Sequence, residues 1–588
     1  MISTFKFRCV SLFFYSLTLS AVLIACSKER EQEQLPADGS TVLEFNTGNV
    51  TDIGDGGSTP VETAPETPPE FDQQNQTSTS RTMPGGLSTV GLSDGAQRST
   101  QTKDSVLFRE EKEEAGYDVQ LSLSKEPLGY APTPKVITKT SRQKAGNARA
   151  NSFVAAAMPN GNRYRVLIYD NSDNYVGSID ATSGTGFTPG FPVFQNTTYK
   201  WYAYSYNTTT QVPLPENTAN PTITTPAGIS ALLYDSGTLT TVAGSNRINI
   251  TFEHKLASIA LVLDARGMFA TINSITASNA TAGNLRGGTL NLRTGQYDNT
   301  TPNGAATTLS NWTNLATATG DSVKVAYFYT AGTTEIQNFG VALSNFVVNL
   351  DDGTTRTFTN RSYTFPQSFT PDLGNRYTAT VRLIESAITV AGARWARTNL
   401  YYRAADQGYR FRNKPNNIYN TTTNVAAAGE YFNFGAVTNA TGATTAQRDI
   451  CRLARPYGTW RLPTSAEQIA LSQVIATTGS PRRVFAQQSD ARYGGYIITG
   501  SSEYGQNLIA FLGLGRRAQN ANTITNYAQS ANTSGFFWSS SFTTGSTNAR
   551  YMRVDINGTS ANSFSTSNVT ADLSENMTFG MNIRCVRI

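Results

Sequence analysis

Histidine is almost missing from this sequence: there is one, His254, in 588 residues. Most zinc centres, Ser-His-Asp triads and Cys-His dyads need at least one well-placed imidazole and usually more, so most metal-dependent and nucleophilic chemistry is excluded at the outset. His254 has no second His, Cys or Glu-x-x-His pattern beside it, and it is read as a structural histidine at the start of a strand. Charge is scarce as well. Asp, Glu, Lys and Arg make up 15% of the chain, against about 25% in an ordinary soluble domain. Thr, Ser, Asn, Gly and aromatics fill the deficit, a β-rich composition of extracellular character. The net charge of +5 is too small over this length to imply a nucleic-acid partner. Long helical periodicity is rare, and no carboxylate pair lies in a motif that would suggest glycoside hydrolysis. No cofactor and no metal is called for. What remains is binding and structure rather than enzymology, on a chain long enough for three or four domains at ~150 residues each.

The first 25 residues carry Lys6 and Arg8, then the apolar run Val10 to Ala25, too short for a stable span and built as a signal peptide. Its end, Leu23-Ile24-Ala25-Cys26, resembles the bacterial lipobox, which makes Cys26 the lipid-bearing first residue of the mature protein. The alternative is an ordinary secretory signal with an incidental cysteine. Ser27-Lys28-Glu29-Arg30-Glu31-Gln32-Glu33 resembles the surface-export tether of Bacteroidetes lipoproteins and points to the outer face of an outer membrane. Once Cys9 leaves with the signal and Cys26 takes a lipid, Cys451 and Cys585 are the thiols left in a disulfide-permissive compartment. They are expected to pair, the other reading being two buried free thiols.

Residues 26–104 are Thr, Ser, Gly, Pro and Gln rich, without a sustained apolar period, and read as a flexible stalk. Strand signals begin beyond Asp104. Tyr117 to Leu123 alternates apolar with polar residues, as do Tyr164 to Tyr169 and Tyr199 to Tyr206 in part. Further strands are expected at 248–252, 258–263, 323–329, 339–343, 346–350 and 377–383, with turns at Pro159-Asn160-Gly161 and Asp351-Asp352-Gly353 between them. The pattern gives antiparallel sandwiches at 105–243 and 244–387 and excludes a βαβ fold. From Ile388 to the end there are 19 Lys and Arg against nine Asp and Glu, so the basic surplus sits in residues 388–588 and the rest of the chain is net acidic. One good helix is expected over Thr464 to Ile475, where Thr464 and Glu467 have capping-box spacing.

Four segments carry a family resemblance. Phe252-Glu253-His254-Lys255-Leu256-Ala257 resembles the Phe-x-His-x-Leu-Ala strand opening of fimbrillin-like lipoproteins of Bacteroidales. Phe369-Thr370-Pro371-Asp372-Leu373-Gly374-Asn375-Arg376-Tyr377 resembles the closing strand of that family, and Tyr164 to Asp170 with Tyr199 to Asn207 fit its first two strands after the leader. The resemblance implies two transthyretin-like β-sandwich pilin subdomains and a type V pilus subunit. It also implies maturation: an extracellular protease of trypsin-like or Arg specificity removes the first strand, and a strand from a neighbouring subunit fills the groove left behind. In this chain the leaving strand is 117–123, and the polar loop after it offers Lys139, Arg142, Lys144 and Arg149. Arg149 is the expected cleavage site and Arg142 the second choice, the alternative being an uncut surface loop.

The C-terminal region resembles the Fibrobacter succinogenes major paralogous domain through Trp395-Ala396-Arg397-Thr398-Asn399-Leu400, Tyr431-Phe432-Asn433-Phe434-Gly435, Gly458-Thr459-Trp460-Arg461-Leu462-Pro463-Thr464, Phe537-Trp538-Ser539-Ser540-Ser541 and Ile583-Arg584-Cys585-Val586-Arg587. That implies an α+β C-type-lectin-like fold closed by Cys451 and Cys585. The Glu-Pro-Asn or Gln-Pro-Asp and Trp-Asn-Asp motifs of calcium-dependent sugar binding are absent, which speaks against calcium-bound sugar recognition. Arg482-Arg483 and Arg516-Arg517 are candidate ligand contacts, since guanidinium forks match carboxylate and sulfate, with loop solvation as the equal alternative. Tyr199 and Trp201 fall on one strand face and Tyr202, Tyr204 and Tyr206 on the other, read as a core and a groove wall. The whole is mainly β, and reads as a cell-surface fimbrial tip or accessory subunit. Its partners would be other fimbrial subunits, the outer membrane through Cys26, and a host or bacterial glycan or protein. The rival is a non-polymerising surface lipoprotein that binds glycan or matrix protein.

Overall fold

Among the described residues, three strands come from the N-terminal quarter of the chain: β1 (Thr41–Val50), β2 (Ser105–Glu114) and β3 (Tyr117–Lys125). None of them makes a sheet of its own. The structure is a computed structural model that describes residues 41–50, 105–114, 117–125 and 156–588, the last without 226–227, 229, 316–320, 351–352, 404–407, 412–418, 421–424, 427–429, 438–447, 478–481, 484–494, 500–507, 522, 526–531, 559–563 and 566–568.

In the first sheet β1 lies parallel to Gly244–His254, with Phe45 opposite Ile248. The order then runs through Leu233–Thr240, Thr198–Ser205 and Arg163–Asp170 to Tyr175–Thr182. Three ladders separate β1 from Thr198–Ser205, about 14 Å in a flat sheet at ~4.8 Å per strand. Phe45 and Trp201 nevertheless meet edge to face with ring centroids 6.0 Å apart, so the sheet curls on itself around Leu43, Tyr164, Val166, Tyr199 and Ile250. The opposite face is covered too: Leu167, Tyr169, Tyr202 and Tyr204 pack on Ile223, Leu290 and Leu292 from the three-stranded sheet of Thr222–Thr225, Arg286–Asn291 and Gln296–Pro302. The groove wall expected at Tyr202 and Tyr204 is therefore a second core.

The second unit is a sandwich. One sheet runs Thr313–Asn314, Val323–Thr330, Ala257–Gly267, Arg376–Glu385, β3, β2; the facing sheet contains Ala270–Asn279, Phe339–Leu350 and Thr355–Phe365. Ile259, Leu261, Leu263, Val381 and Leu383 from the first meet Val341, Leu343, Phe346 and Phe358 from the second.

Several expectations are corrected. β1 lies inside the proposed stalk, because Leu43 and Phe45 alternate within a short apolar run that the surrounding Thr, Ser and Pro obscure. Gly244–His254 pairs with β1 and with Leu233–Thr240, so the first sheet extends beyond the boundary expected at residue 243. The strands expected at 339–343 and 346–350 are one strand, which passes Ser344-Asn345 by a register shift against Ala270–Asn279 rather than by a turn. Among the described residues two ladders run parallel, β1 with Gly244–His254 and Ala257–Gly267 with Arg376–Glu385. Gly161 and Gly353 take φ of +89° and +80°, as turns at those positions require.

Beyond residue 388 the described residues form short sheets and the one α-helix, α1 (Ser465–Thr477). The capping box is made: the Glu467 amide donates to Thr464 Oγ1 at 3.2 Å and the Thr464 amide to Glu467 Oε2 at 2.8 Å. Among the described residues no helix is long and apolar enough to cross a membrane.

Candidate strand-binding groove

β3 occupies a slot between β2 and Arg376–Glu385, antiparallel to both, with Leu121 opposite Glu110 on one side and Val381 on the other. Alternation along the strand sends Tyr117, Val119, Leu121 and Leu123 to one face, all 0% exposed. These four side chains enter the sandwich core. At about 1.5–3 kcal/mol each they represent roughly 6–12 kcal/mol of burial, an upper estimate because the unfolded chain hides some surface already. Tyr117 packs edge to face on Phe358 with centroids 4.7 Å apart, and its hydroxyl meets that of Tyr363 at 2.5 Å.

The other face of β3 is polar and is read side chain by side chain. Gln120 Oε1 accepts from Arg382 Nη1 at 2.9 Å. Arg382 in turn reaches Asp264 at 3.1 Å, and Asp264 also accepts a two-pronged contact from Arg266 at 2.9 and 2.7 Å. Burial works to raise the Asp264 carboxyl, but the Arg266 hydrogen bonds and the Arg266 and Arg382 charges overcome it and hold it below the usual carboxylate range. Asp118 is 2% exposed and accepts from Arg394 Nη2 at 2.8 Å, with Arg587 Nη1 3.5 Å away. Lys125 pairs with Asp372 at the other end of the strand. β2 completes the edge with a run of charges, Arg109-Glu110-Glu111-Lys112-Glu113-Glu114, which discourages further strand pairing on its outer side.

β1 holds a comparable place in the first sheet. It fills the gap between Gly244–His254 and the short strands Ala156–Ala157 and Phe191–Pro192, buries Leu43, Phe45 and Val50, and carries Glu44 to Arg247 at 3.0 Å.

Residues 153–395 match the fimbrillin-like family model. Solved structures give weaker likenesses. A candidate cell adhesion protein of Bacteroides fragilis is 14% identical, with 43% of this chain and 90% of that one covered at a TM-score of 0.30. One from Bacteroides ovatus is 17% identical over 39% and 86%, TM-score 0.26. The fimbrial anchor protein Mfa2 of Porphyromonas gingivalis is 11% identical over 35% and 76%, TM-score 0.19. No curated protein matches the chain.

β3 was expected to open the first sandwich. It belongs to the second instead, since its sheet partner is the closing strand of the fimbrillin-like segment, 376–385. β1 and β3 both lie upstream of that segment and both are inserted into its sheets. Cys26, Lys139, Arg142, Lys144 and Arg149 lie outside the described residues. His254 ends its strand opposite Leu233 and is buried. Tyr164, Tyr169 and Tyr204 titrate far above the ordinary tyrosine range because burial disfavours the phenolate, in keeping with a core.

C-terminal to the fimbrillin-like segment, Cys451 and Cys585 form a disulfide across 134 positions, both buried. Cys451 sits in the 3-10 turn Ile450–Leu453, and Cys585 immediately precedes the strand Val586–Arg587, which is held between Ala393–Trp395 and Trp460–Arg461. Trp460 and Trp538 are buried. The candidate ligand pair Arg516-Arg517 is corrected: alternation turns Arg517 inward, where it is 4% exposed and donates to Asn433 at 2.7 Å. Arg516 pairs with Glu575 and lies over the rings of Phe536 and Phe579. Arg482-Arg483 form a two-residue strand opposite Tyr496-Ile497, with side chains outside the described residues. Among the described residues no group of three or more His, Cys, Asp or Glu could hold a metal. The residues that sequence reasoning missed are Asp118, Arg394 and Arg587. The one available signal was Asp118 itself, an acid beginning an otherwise uncharged apolar alternation.

Proposed function

We propose that this protein is a non-enzymatic fimbrial tip or accessory subunit, exported as a lipoprotein on Cys26 to the outer-membrane surface and matured by cleavage at Arg149 or Arg142. One observation carries the reading. Each described strand upstream of the basic segment 126–155, namely β1, β2 and β3, is a guest in a sheet whose other members come from downstream. A single cut in that segment severs all three from the fold they complete. Their departure bares the edges of Gly244–His254 and Arg376–Glu385 together with the pockets of Leu43, Phe45, Val119, Leu121 and Leu123. A strand donated by a neighbouring subunit restores the backbone hydrogen bonds and fills the pockets, which is β-augmentation.

The C-terminal region supports the tip or accessory position. Val586–Arg587 is an interior strand of its sheet, tied by the Cys451–Cys585 bond, and is unsuited to donation. The region from Ile388 onward, with its Fibrobacter succinogenes major paralogous resemblance, is assigned the adhesive role toward a surface glycan or protein. The rival, a non-polymerising surface-binding lipoprotein, draws on the completeness of the uncut form, in which β3 is paired on both edges. The test is the double substitution Arg142→Gln, Arg149→Gln in the source organism. Loss of this protein from isolated fimbriae supports assembly by strand removal, and unchanged incorporation overturns it.

A further inference from the structure

We infer that the upstream segment is a ligand with two points of attachment, β1 in the first unit and β3 in the second, so that one cut in 126–155 leaves it seated. The partner that replaces it must then bring two strands, one for each unit. This rests on the strand-exchange reading above and says what the exchange has to displace.

β1 has a built site of its own. One edge follows Gly244–His254 in parallel, from Thr41 opposite Gly244 to Val50 opposite Phe252. The other edge is closed by the loop before Phe191. The Phe45 amide donates to Thr188 Oγ1 at 3.0 Å, the Phe45 carbonyl accepts from the Thr188 amide at 2.7 Å, and the Thr41 carbonyl accepts from the Val193 amide at 3.0 Å. Asn246 Nδ2 adds a bond to the Val42 carbonyl at 3.2 Å. Gly190 lies so close to Val42 that a β-carbon on it would stand 2.8 Å from the valine Cβ, nearer than side chains tolerate, and the loop is therefore shaped to the strand. Beneath, Leu43, Phe45 and Val50 are buried, and Phe45 meets Trp201 edge to face.

This hold is separate from that of β3. The apolar residues of β1 enter a core with Tyr164, Val166, Trp201 and Ile250, those of β3 a core with Ile259, Leu261, Phe358 and Val381, and no residue belongs to both. The two strands lie in different sheets. Their senses differ as well, β1 running parallel to its host strand and β3 antiparallel. A strand laid in the β3 slot thus satisfies none of the hydrogen bonds or pockets that β1 fills. The two holds are nevertheless linked, because residues 51–104 join β1 to β2 and β2 leads into β3. When one strand lets go, the other keeps it near its own groove, where it rebinds ahead of a free competitor. Joined in this way, two sites hold roughly 100- to 10,000-fold more tightly than either alone.

The test uses the full-length chain with sites for two unrelated sequence-specific proteases, one inserted in 51–104 and one in 126–155. Arg81 and Arg98 in the connection rule out an arginine-specific enzyme for the single cut. Retention of the β2–β3 piece is followed by size-exclusion chromatography across a urea series. Adding the cut in 51–104 is expected to weaken that retention roughly 100- to 10,000-fold; equal release midpoints with and without it overturn the inference. Phe45→Ala is expected to loosen the β2–β3 piece in the chain cut once and to leave it unmoved in the chain cut twice. Any other pattern counts against two separate holds. Synthetic peptides 41–50 and 117–125 are then added to the chain cut once in 126–155. The pair is expected to free the fragment, whereas 117–125 alone is expected to leave it bound. Release by 117–125 alone overturns the inference while leaving strand exchange intact. If even the pair frees nothing, the exchange reading fails, and the two urea series still decide whether the segment is held at two points.

Discussion

Leu121→Ala is the perturbation that weighs the groove itself. Leu121 is the middle of the three buried aliphatics of β3, is 0% exposed and packs into the core of the second sandwich. Truncating a leucine in such a site costs about 2–5 kcal/mol, transfer and residual cavity together. Once the chain is cut between residues 125 and 156, that cost falls on the hold of the fold over β3. It corresponds to a shift of roughly 30- to 4000-fold in the equilibrium for release of the upstream fragment. The assay is size-exclusion chromatography of nicked protein across a urea series, with fragment retention as readout. Ser122→Ala, on the opposite face of the same strand, serves as control and is expected to move the release midpoint little. The reasoning is refuted if nicked Leu121→Ala keeps its fragment to the wild-type urea concentration, or if Ser122→Ala loosens it as much.

Further expectations concern the C-terminal region. Replacing Cys451 and Cys585 together by Ser removes a cross-link over 134 positions, worth roughly 4–5 kcal/mol on the chain-entropy account; thermal unfolding of this region should fall in the double variant and in reduced wild-type protein alike, and an unchanged transition contradicts it. Asp449 is buried, and that burial raises its carboxyl to about 6 against the hydrogen bonds from Leu462 and Cys451, which lower it. A carboxyl raised in the folded state binds a proton that the unfolded chain releases above about 4, so its favourable contribution is present below that pH and is lost as the pH rises through about 6. Asp449→Asn keeps an acceptor oxygen without the charge and should gain on wild type between pH 4 and 7, by up to about 3 kcal/mol in urea unfolding; a pH-independent difference between the two contradicts it.

Where alternation and turn chemistry acted locally, the sequence was readable. The strands around Tyr164, Tyr199 and Ser258, the Gly161 and Gly353 turns and the Thr464–Glu467 cap follow from side-chain period and positive-φ requirements over a few residues. What escaped is non-local. Nothing in Thr41–Val50 states that its partner is Gly244–His254, and nothing in Tyr117–Lys125 states that it pairs with Arg376–Glu385 rather than with the strands that follow it. Faces covered on both sides, as at Tyr202 and Tyr204, cannot be told from a face left open by period alone. Arg516 and Arg517 read as exposed forks because adjacent arginines are usually solvated; the strand that turns one of them inward is two residues long. The ion pairs of Asp118 with Arg394 and Arg587 join three distant segments of the chain, so no local pattern could disclose them.

The measurement closest to the central claim is the N-terminus of the protein as it stands on the cell surface, read by sequencing and intact mass. The account requires a form beginning at Ala150, or at Gln143 if Arg142 is the site, lacking β1, β2 and β3. A surface population that retains lipid-bearing Cys26 and the uninterrupted chain through residues 126–155 contradicts it.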